Sequence, residues 1–274
     1  LSYIIAVEEL ARVDASQAAT VAAHNSLGIA PIAVFGTEAQ KKRFLPGLTS
    51  GRKLWAFGLT EPNAGADSNN TETTASLQGG KWTINGKKIY ITNAASVMSG
   101  GITVQVVTGE QSGGRKELSV ILVDRDTPGY MAEALHSKMM WRAVDTGMVE
   151  FRKVEVPEGN LLGERGMGAQ IMLSTLDGGR LSIAAMGLGL AQGAFDMAMA
   201  YAGKRVQFGK PIGSFQANAF KLADMATRIE MARSFLYRAC WLKDHGHPFG
   251  KEAAMAKLYT SEIAKEVVHE ALQI

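Results

Sequence analysis

The stretch Phe57 to Ser68, FGLTEPNAGADS, sets a hydroxyl at Thr60 and carboxylates at Glu61 and Asp67 among Pro62, Asn63, Gly65 and other small residues. It directly follows the apolar run LWAFGLT. Glycine, proline and asparagine turn a chain tightly, and such a turn lets backbone N–H groups and a hydroxyl come close to a ligand. Taken alone the stretch also reads as an ordinary turn. Of its acids, Glu61 is expected to partner the turn rather than to act as a base.

Other segments offer chemistry that their context does not support. GLGLAQG at Gly187 to Gly193 suggests a dinucleotide loop, but its last spacing is wrong and no strand precedes it, whereas that mechanism needs strand, turn and helix in order. Its small residues are expected to allow close helix contacts. His245 and His247 flank a glycine ahead of Pro248 and read as solvated; His24, His136 and His269 form no spaced cluster, so no metal is assigned. Cys240 lies in an apolar helical pattern and reads as core. A single cysteine excludes an internal disulfide and fits a reducing compartment.

The elements that must position these residues follow from periodicity. Leu1 to Arg52 is helical, with Ile4, Val7, Leu10 and Ala11 on one face and Glu8, Glu9 and Arg12 off it. Thr37 to Gln40 forms a capping box that opens a short helix, closed by Pro46 and Gly51. From Leu54 to about Pro157 the period is two. Asn85-Gly86 predicts a hairpin inside KWTINGKKIYIT, and ITVQVVT, LSVILVD and FRKVEVP read as further strands of a mostly antiparallel domain. Helical spacing returns over Gly166 to Arg205, Phe215 to His245 and Gly250 to Ile274. In the second of these, Leu222, Met225, Ile229, Ala232, Leu236 and Ala239 make the core stripe, with Asp224 and Arg228 opposite.

Composition adds boundaries. The chain has 274 residues, 46% hydrophobic and 20% charged, enough to bury a sizeable core, and a net charge of +3 spread without a basic arm, so no nucleic-acid partner is expected. No run is expected to be apolar for the roughly 18 residues of a membrane span. Nothing resembles a signal peptide. The chain opens in mid-pattern at LSYIIAVEEL and stops at HEALQI without a cap, and it reads as a fragment of a longer polypeptide.

Four motifs in order, FGLTEPNAGADS, YIT at Tyr90 to Thr92, LDGGR at Leu176 to Arg180 and RVQFGKPIGSFQ at Arg205 to Gln216, resemble the acyl-CoA dehydrogenase family, in its short-chain, butyryl-CoA-dehydrogenase-like branch. The resemblance covers essentially the whole chain. It implies an α+β fold with a helical N-terminal domain (1–53), a central antiparallel β domain (54–158) and a C-terminal helical bundle (159–274). It further implies FAD-dependent α,β-dehydrogenation of an acyl-CoA thioester to a trans-2-enoyl-CoA, with electrons passed to electron-transfer flavoprotein. A homotetramer built as a dimer of dimers is implied as well, in the cytoplasm of a bacterium or archaeon or in a mitochondrial matrix.

By the same resemblance Phe57, Leu59 and Thr60 pack on and hydrogen-bond the isoalloxazine ring, and Tyr90, Ile91 and Thr92 form the facing strand, with Thr92 near N5. Ala66, Asp177, Gly178, Gly179 and Arg180 fall at acyl-CoA contacts. Arg205, Gln207, Phe208 and Gln216 fall in the segment that reaches the FAD of a neighbouring subunit, with Arg205 suited to the pyrophosphate. Gln273 opens the family's glycine-rich FAD segment.

Three departures stand out. Ala66 replaces a common serine or threonine, so only its amide remains to contact ligand. Asn218 and Ala219 are atypical after Phe215-Gln216. The glutamate base is missing: most branches hold it in a segment that would lie beyond Ile274, and others at the position of Gly179, which cannot abstract a proton. Alternatives on the same fold are a flavin-dependent oxidase or monooxygenase, or a non-catalytic acyl-CoA-binding relative.

Overall fold

A computed structural model describes residues 1–274. Contacts divide it into two compact units, Leu1–Ala22 with Asp177–Ile274, and Ala23–Leu176.

The first unit is helical. It holds α1 (Ser2–Val13), α2 (Ala15–Ala22), most of α5 (Gly168–Lys204), α6 (Gln216–Asp244) and α7 (Gly250–Gln273). The α6 stripe is buried as expected, from Leu222 through Ala239 together with Cys240. Burial pushes the Cys240 thiol up to about 11, as desolvation disfavours a thiolate. GLGLAQG lies inside α5 and serves helix contacts. A Cβ at Gly189 would stand 2.2 Å from the Glu8 carbonyl, and one at Gly193 2.2 Å from that of Arg12, so these two positions let α1 lie backbone to backbone on α5. The α1 face differs from expectation: Glu8 is buried and Leu10 is 40% exposed. The exchange has a cause, because Glu8 accepts hydrogen bonds from Arg233 Nε at 2.9 Å and Tyr237 Oη at 2.8 Å, which satisfy a carboxylate that would otherwise be costly to bury.

The second unit begins with a π-helical turn (Ala23–Ile29), α3 (Ala30–Phe35) and α4 (Glu38–Thr49). The capping box is present: Gln40 N donates to Thr37 Oγ1 and Thr37 N to Gln40 Oε1. Pro46 does not close α4, which runs through it to Thr49 before Gly51 turns the chain at φ +71°. The sheet comprises β1 (Leu54–Gly58), β2 (Thr74–Gln78), β3 (Lys81–Thr92), β4 (Ser99–Gln111), β5 (Arg115–Asp124), β6 (Tyr130–Ala134) and β7 (Thr146–Pro157). Its order is β1-β4-β2-β3-β7-β6, with β5 on β4; the β1–β4 and β2–β4 pairs are parallel and the rest antiparallel. Trp82, Ile84, Ile91, Ile102, Val104, Ile121 and Phe151 lead one core, and Ile32, Phe44, Trp55, Leu122 and Ile171 a second.

The expected hairpin at Asn85-Gly86 is not there. β3 is continuous through it with a register shift between Ile84 and Gly86, and the β2–β3 hairpin turns at Gly79-Gly80, both at positive φ. Gly86, at φ +149°, is a bulge where a Cβ would meet Thr73 Oγ1 at 2.4 Å; glycine there answers a close backbone approach rather than a turn.

Two helical stretches, Ala15–Phe35 and Gly168–Lys204, contain 18-residue windows apolar enough to cross a membrane by length and composition alone. Half of the α5 window is buried by protein, and helices rich in alanine, glycine, leucine and methionine that pack in a protein core share that hydropathy.

Candidate active site

FGLTEPNAGADS leaves β1 at Gly58, where the Ile102 side chain fills the space a Cβ would need. Leu59 and Thr60 are half-buried. The chain then folds into a loop closed on itself by Glu61 and Ala64, whose backbones exchange hydrogen bonds of 3.0 and 3.2 Å. Three side chains hold the loop from below. Glu61 accepts from Glu72 N at 2.6 Å and Thr73 N at 3.1 Å; Gln105 Nε2 donates to Ser68 O and Thr71 Oγ1; Lys116 Nζ donates to the carbonyls of Asn70 and Thr71 and to Asn70 Oδ1. Its outer residues Pro62, Asn63, Gly65, Ala66 and Asp67 stay exposed.

The fold brings YIT to this strand end. Ile89 N donates to Thr60 O at 2.9 Å, and Lys88 Nζ donates to Leu59 O at 3.1 Å and to Glu61 Oε1 at 2.6 Å. Glu61 is therefore the turn's structural partner. Burial lowers the Lys88 ammonium to about 8 against the pull of Glu61. Burial would raise the Glu61 carboxyl, but the Lys88 charge and the bonds from Lys88, Thr73 and Glu72 together hold it below the usual carboxylate value. The sequence reading missed Lys88. A signal was available, since Lys88 falls on the inward parity of Trp82 and Ile84, where a strand otherwise places apolar residues.

After Lys88 the strand bulges, with a register shift before Ile91. Tyr90 sits at φ +60° with 68% of its surface exposed, Ile91 is buried, and Thr92 is half-buried. An aromatic residue held in the left-handed region and turned to solvent is an outlier of the kind that concentrates at ligand sites.

Whether these residues suit a flavin can be judged from their donors. Neither the Thr60 nor the Thr92 hydroxyl takes a hydrogen-bond partner in the chain, while the Thr60 and Leu59 carbonyls are engaged. Half-buried free hydroxyls beside an exposed aromatic ring suit a planar heteroaromatic group rich in acceptors, so the residues fit the cofactor.

In the helical unit, Asp177 and Arg180 form an ion pair one turn apart on α5. Gly178 lies under Lys243 Nζ and Gly250 beside the Asp177 carboxylate, each close to where a Cβ would stand. Arg205 is exposed just past α5, and its backbone bonds Tyr201 and Ile212. Gln207 ends the first strand of a short ribbon, β8 (Val206–Gln207) with β9 (Lys210–Pro211), whose turn is Phe208-Gly209 at φ +51° and +78°. Phe208 is 94% exposed, edge-on to Phe215 at 6.1 Å. Gln216 and Gln273 are exposed on α6 and α7. His245 and His247 are exposed and stack on Trp241.

A helical start, a central sheet and long closing helices, with signature loops at the strand ends, define a class that comparison with known proteins identifies. The chain matches models of the acyl-CoA dehydrogenase N-terminal domain over residues 1–52, the middle domain over 56–154 and the C-terminal domain over 166–274. It is 47% identical over 274 residues to a probable acyl-CoA dehydrogenase of Bacillus subtilis, covering all of this chain and 72% of that protein. It superimposes on the structure of butyryl-CoA dehydrogenase from Megasphaera elsdenii with a TM-score of 0.95 and 45% identity, covering 99% of this chain and 70% of the other. It also superimposes on a chain in a structure concerning the electron transferring flavoprotein of Acidaminococcus fermentans, with a TM-score of 0.94, 43% identity and coverage of 99% and 71%. The chain belongs to the acyl-CoA dehydrogenase family.

Proposed function

We propose that this chain takes part in the FAD-dependent α,β-dehydrogenation of a short-chain acyl-CoA to its trans-2-enoyl-CoA, and that the three-part division at 1–53, 54–158 and 159–274 is its domain plan. The observation that carries the reading is the locking of the two signature segments: Ile89 on Thr60 and Lys88 on Glu61 hold FGLT and YIT side by side with both threonine hydroxyls free. The Megasphaera elsdenii relative, a butyryl-CoA dehydrogenase, supports the short chain.

On this reading Phe57, Leu59, Thr60, Tyr90, Ile91 and Thr92 hold the isoalloxazine. FAD, when bound, supplies the acceptor for the hydride leaving the β-carbon. The protein's part is to orient that ring, donate hydrogen bonds to it from Thr60 and Thr92, and offer it no competing nucleophile. Ala66 contributes its amide, and Gly178, Gly179 and the paired Asp177 and Arg180 contribute contacts to acyl-CoA. The guanidinium suits polar and anionic groups of the thioester ligand. No residue of 1–274 is assigned as the base that removes the α-proton.

Arg205, Gln207, Phe208, Gln216 and Gln273 are assigned to FAD, the first four to that of a neighbouring subunit. A 94% exposed phenylalanine on a two-residue ribbon supports such an encounter. A groove of about 710 Å³ lined by Met231, Phe235, Met255 and Tyr259 in the helical unit supports oligomerisation, with a tetramer proposed. Electron-transfer flavoprotein is the proposed acceptor, and the cytoplasm or a mitochondrial matrix the proposed location.

The test is anaerobic reduction of the purified, flavin-loaded natural protein by butyryl-CoA. Bleaching of the flavin with negligible peroxide in air is expected. Stoichiometric peroxide would replace the dehydrogenase with an oxidase, and no bleaching with any acyl-CoA would leave only binding.

A further inference from the structure

Ile91 and Thr92 lie between two residues in the left-handed region, Tyr90 at φ +60° and Asn93 at φ +66°. Asparagine enters that region more readily than other non-glycine residues, but for Tyr90 the conformation is disfavoured and must be imposed by its surroundings. On the β3 side it is imposed by the bulge and the Lys88 bonds. On the far side the loop 93–96 is gripped by groups distant in sequence. Asp145 Oδ2 accepts from both Ala95 N and Ser96 N at 2.8 Å, and the Asp145 carbonyl accepts from Asn93 N at 3.1 Å. From β5's end, Arg125 Nη1 donates to the carbonyls of Ser96 at 2.5 Å and Ala94 at 3.4 Å.

The clamp lies beside the end of the β3–β7 ladder. Thr92 pairs with Thr146, the residue after Asp145, and Ile91 with Gly147, where a Cβ would come within 3.1 Å of Ala95 Cβ. A carboxylate that accepts two adjacent backbone N–H groups holds them more firmly and directionally than a neutral acceptor. Loop 93–96 is thus tied through one side chain to the strand that pairs with Thr92.

We infer that Asp145 is a positioning residue: by clamping Ala95 and Ser96 it fixes the conformation of Asn93 and so the presentation of Tyr90 and Thr92 to the flavin, with Arg125 as its counterpart on the carbonyls. The inference rests on the flavin reading of Tyr90–Thr92 given above. Asp145 acts through the loop it holds and is assigned no contact with cofactor or substrate.

The test compares wild type, Asp145→Ala, Asp145→Asn and Thr92→Val in the full natural protein. It reads amide hydrogen exchange at Ala95 and Ser96, the dissociation constant and visible spectrum of FAD, and the melting temperature as a control. Losing charge-assisted bonds to two amides should speed exchange at both by about tenfold or more and weaken FAD by about tenfold in Asp145→Ala. Asparagine, which keeps an acceptor oxygen but loses the charge, should fall measurably between wild type and alanine on both. Unchanged exchange overturns the proposal, and so does faster exchange with unchanged FAD affinity and spectrum, since the clamp would then position nothing. Should the alanine variant fail to fold, Asp145→Asn still decides: it keeps an acceptor but loses the charge, so exchange at Ala95 and Ser96 should remain measurably faster than in wild type, and exchange and FAD spectra identical to wild type would overturn the proposal. If Thr92→Val perturbs the flavin and Asp145→Ala does not, this inference alone falls; if wild type binds no flavin, the reading beneath it falls too.

Discussion

Lys88 Nζ lies 2.6 Å from Glu61 Oε1, with side-chain exposures of 0% and 2%. The pair joins the loop after β1 to the strand that carries Tyr90 and Thr92; beyond it Lys88 donates to the Leu59 carbonyl, and Glu61 accepts from the amides of Glu72 and Thr73. Removing one charge strands the other out of water, so Lys88→Met should cost about 3–5 kcal/mol of stability. The double variant Lys88→Met with Glu61→Gln should cost clearly less than the two single variants summed. Urea unfolding of all four proteins checks this, and strict additivity would show the pair to be uncoupled.

The same lysine gives a pH signature. Its folded value is about 8 against 10.5 for the unfolded residue, because burial disfavours the ammonium. Between those values the unfolded chain binds more protons, so the Lys88 contribution to stability rises with pH and is level below about pH 8. The difference in unfolding free energy between wild type and Lys88→Met should therefore grow from pH 8 to pH 10. A flat difference would contradict the assigned shift.

Gly189 and Gly193 admit α1 against α5, with carbonyls 2.2 Å from where a Cβ would stand. Gly189→Ala and Gly193→Ala should each destabilise by about 1–3 kcal/mol through forced separation of the helices. Gly203 in the same helix has nothing within 4 Å, and Gly203→Ala should stabilise by about 0.5–1 kcal/mol. Thermal melts of the three variants separate a packing role from a propensity effect.

His24 is buried with both ring nitrogens committed. Trp55 N donates to Nδ1 at 3.0 Å, which leaves Nε2 to carry the proton toward the Leu48 carbonyl at 3.1 Å. Burial lowers its value below 6.5, opposed by the Leu48 bond. A base with a depressed folded value lends stability that is complete above 6.5 and declines as pH falls below it, where the unfolded histidine protonates first. His24→Gln should lower stability by about 1–3 kcal/mol at pH 7.5 and flatten the profile between pH 7 and 5. An unaltered acid profile would remove His24 as a source of it.

Arg205→Ala should weaken FAD retention and assembly while the β unit stays folded, since the guanidinium is exposed and bonds no other side chain. Gel filtration with flavin absorbance is the measurement. Full flavin occupancy in an unchanged oligomer would count against the intersubunit role.

Much of this architecture was legible in the sequence because its signals were periodic. The α6 stripe and the Thr37 capping box depend on spacing and local bonds, and both appear as read. What escaped was set by partners distant in the chain. Asn85-Gly86 carries turn chemistry but meets Thr73 across a bulge. Glu8 is buried because Arg233 and Tyr237, over 220 positions away, bond it. At the site, the small residues of FGLTEPNAGADS signalled close approach, and the order of four motifs supplied the family. Lys88 and Asp145 gave no motif, since their roles exist only once β3, β7 and the loops are side by side.

The segments joined by Lys88 and Glu61 are proposed to serve a flavin that acyl-CoA reduces. The most direct measurement is the visible spectrum of the flavin-loaded natural protein titrated anaerobically with butyryl-CoA, beside Thr92→Val. Stoichiometric bleaching is expected in wild type, with slower reduction and an altered spectrum in the variant. A variant indistinguishable from wild type in spectrum and rate, or a wild type that no acyl-CoA bleaches, would contradict the proposal.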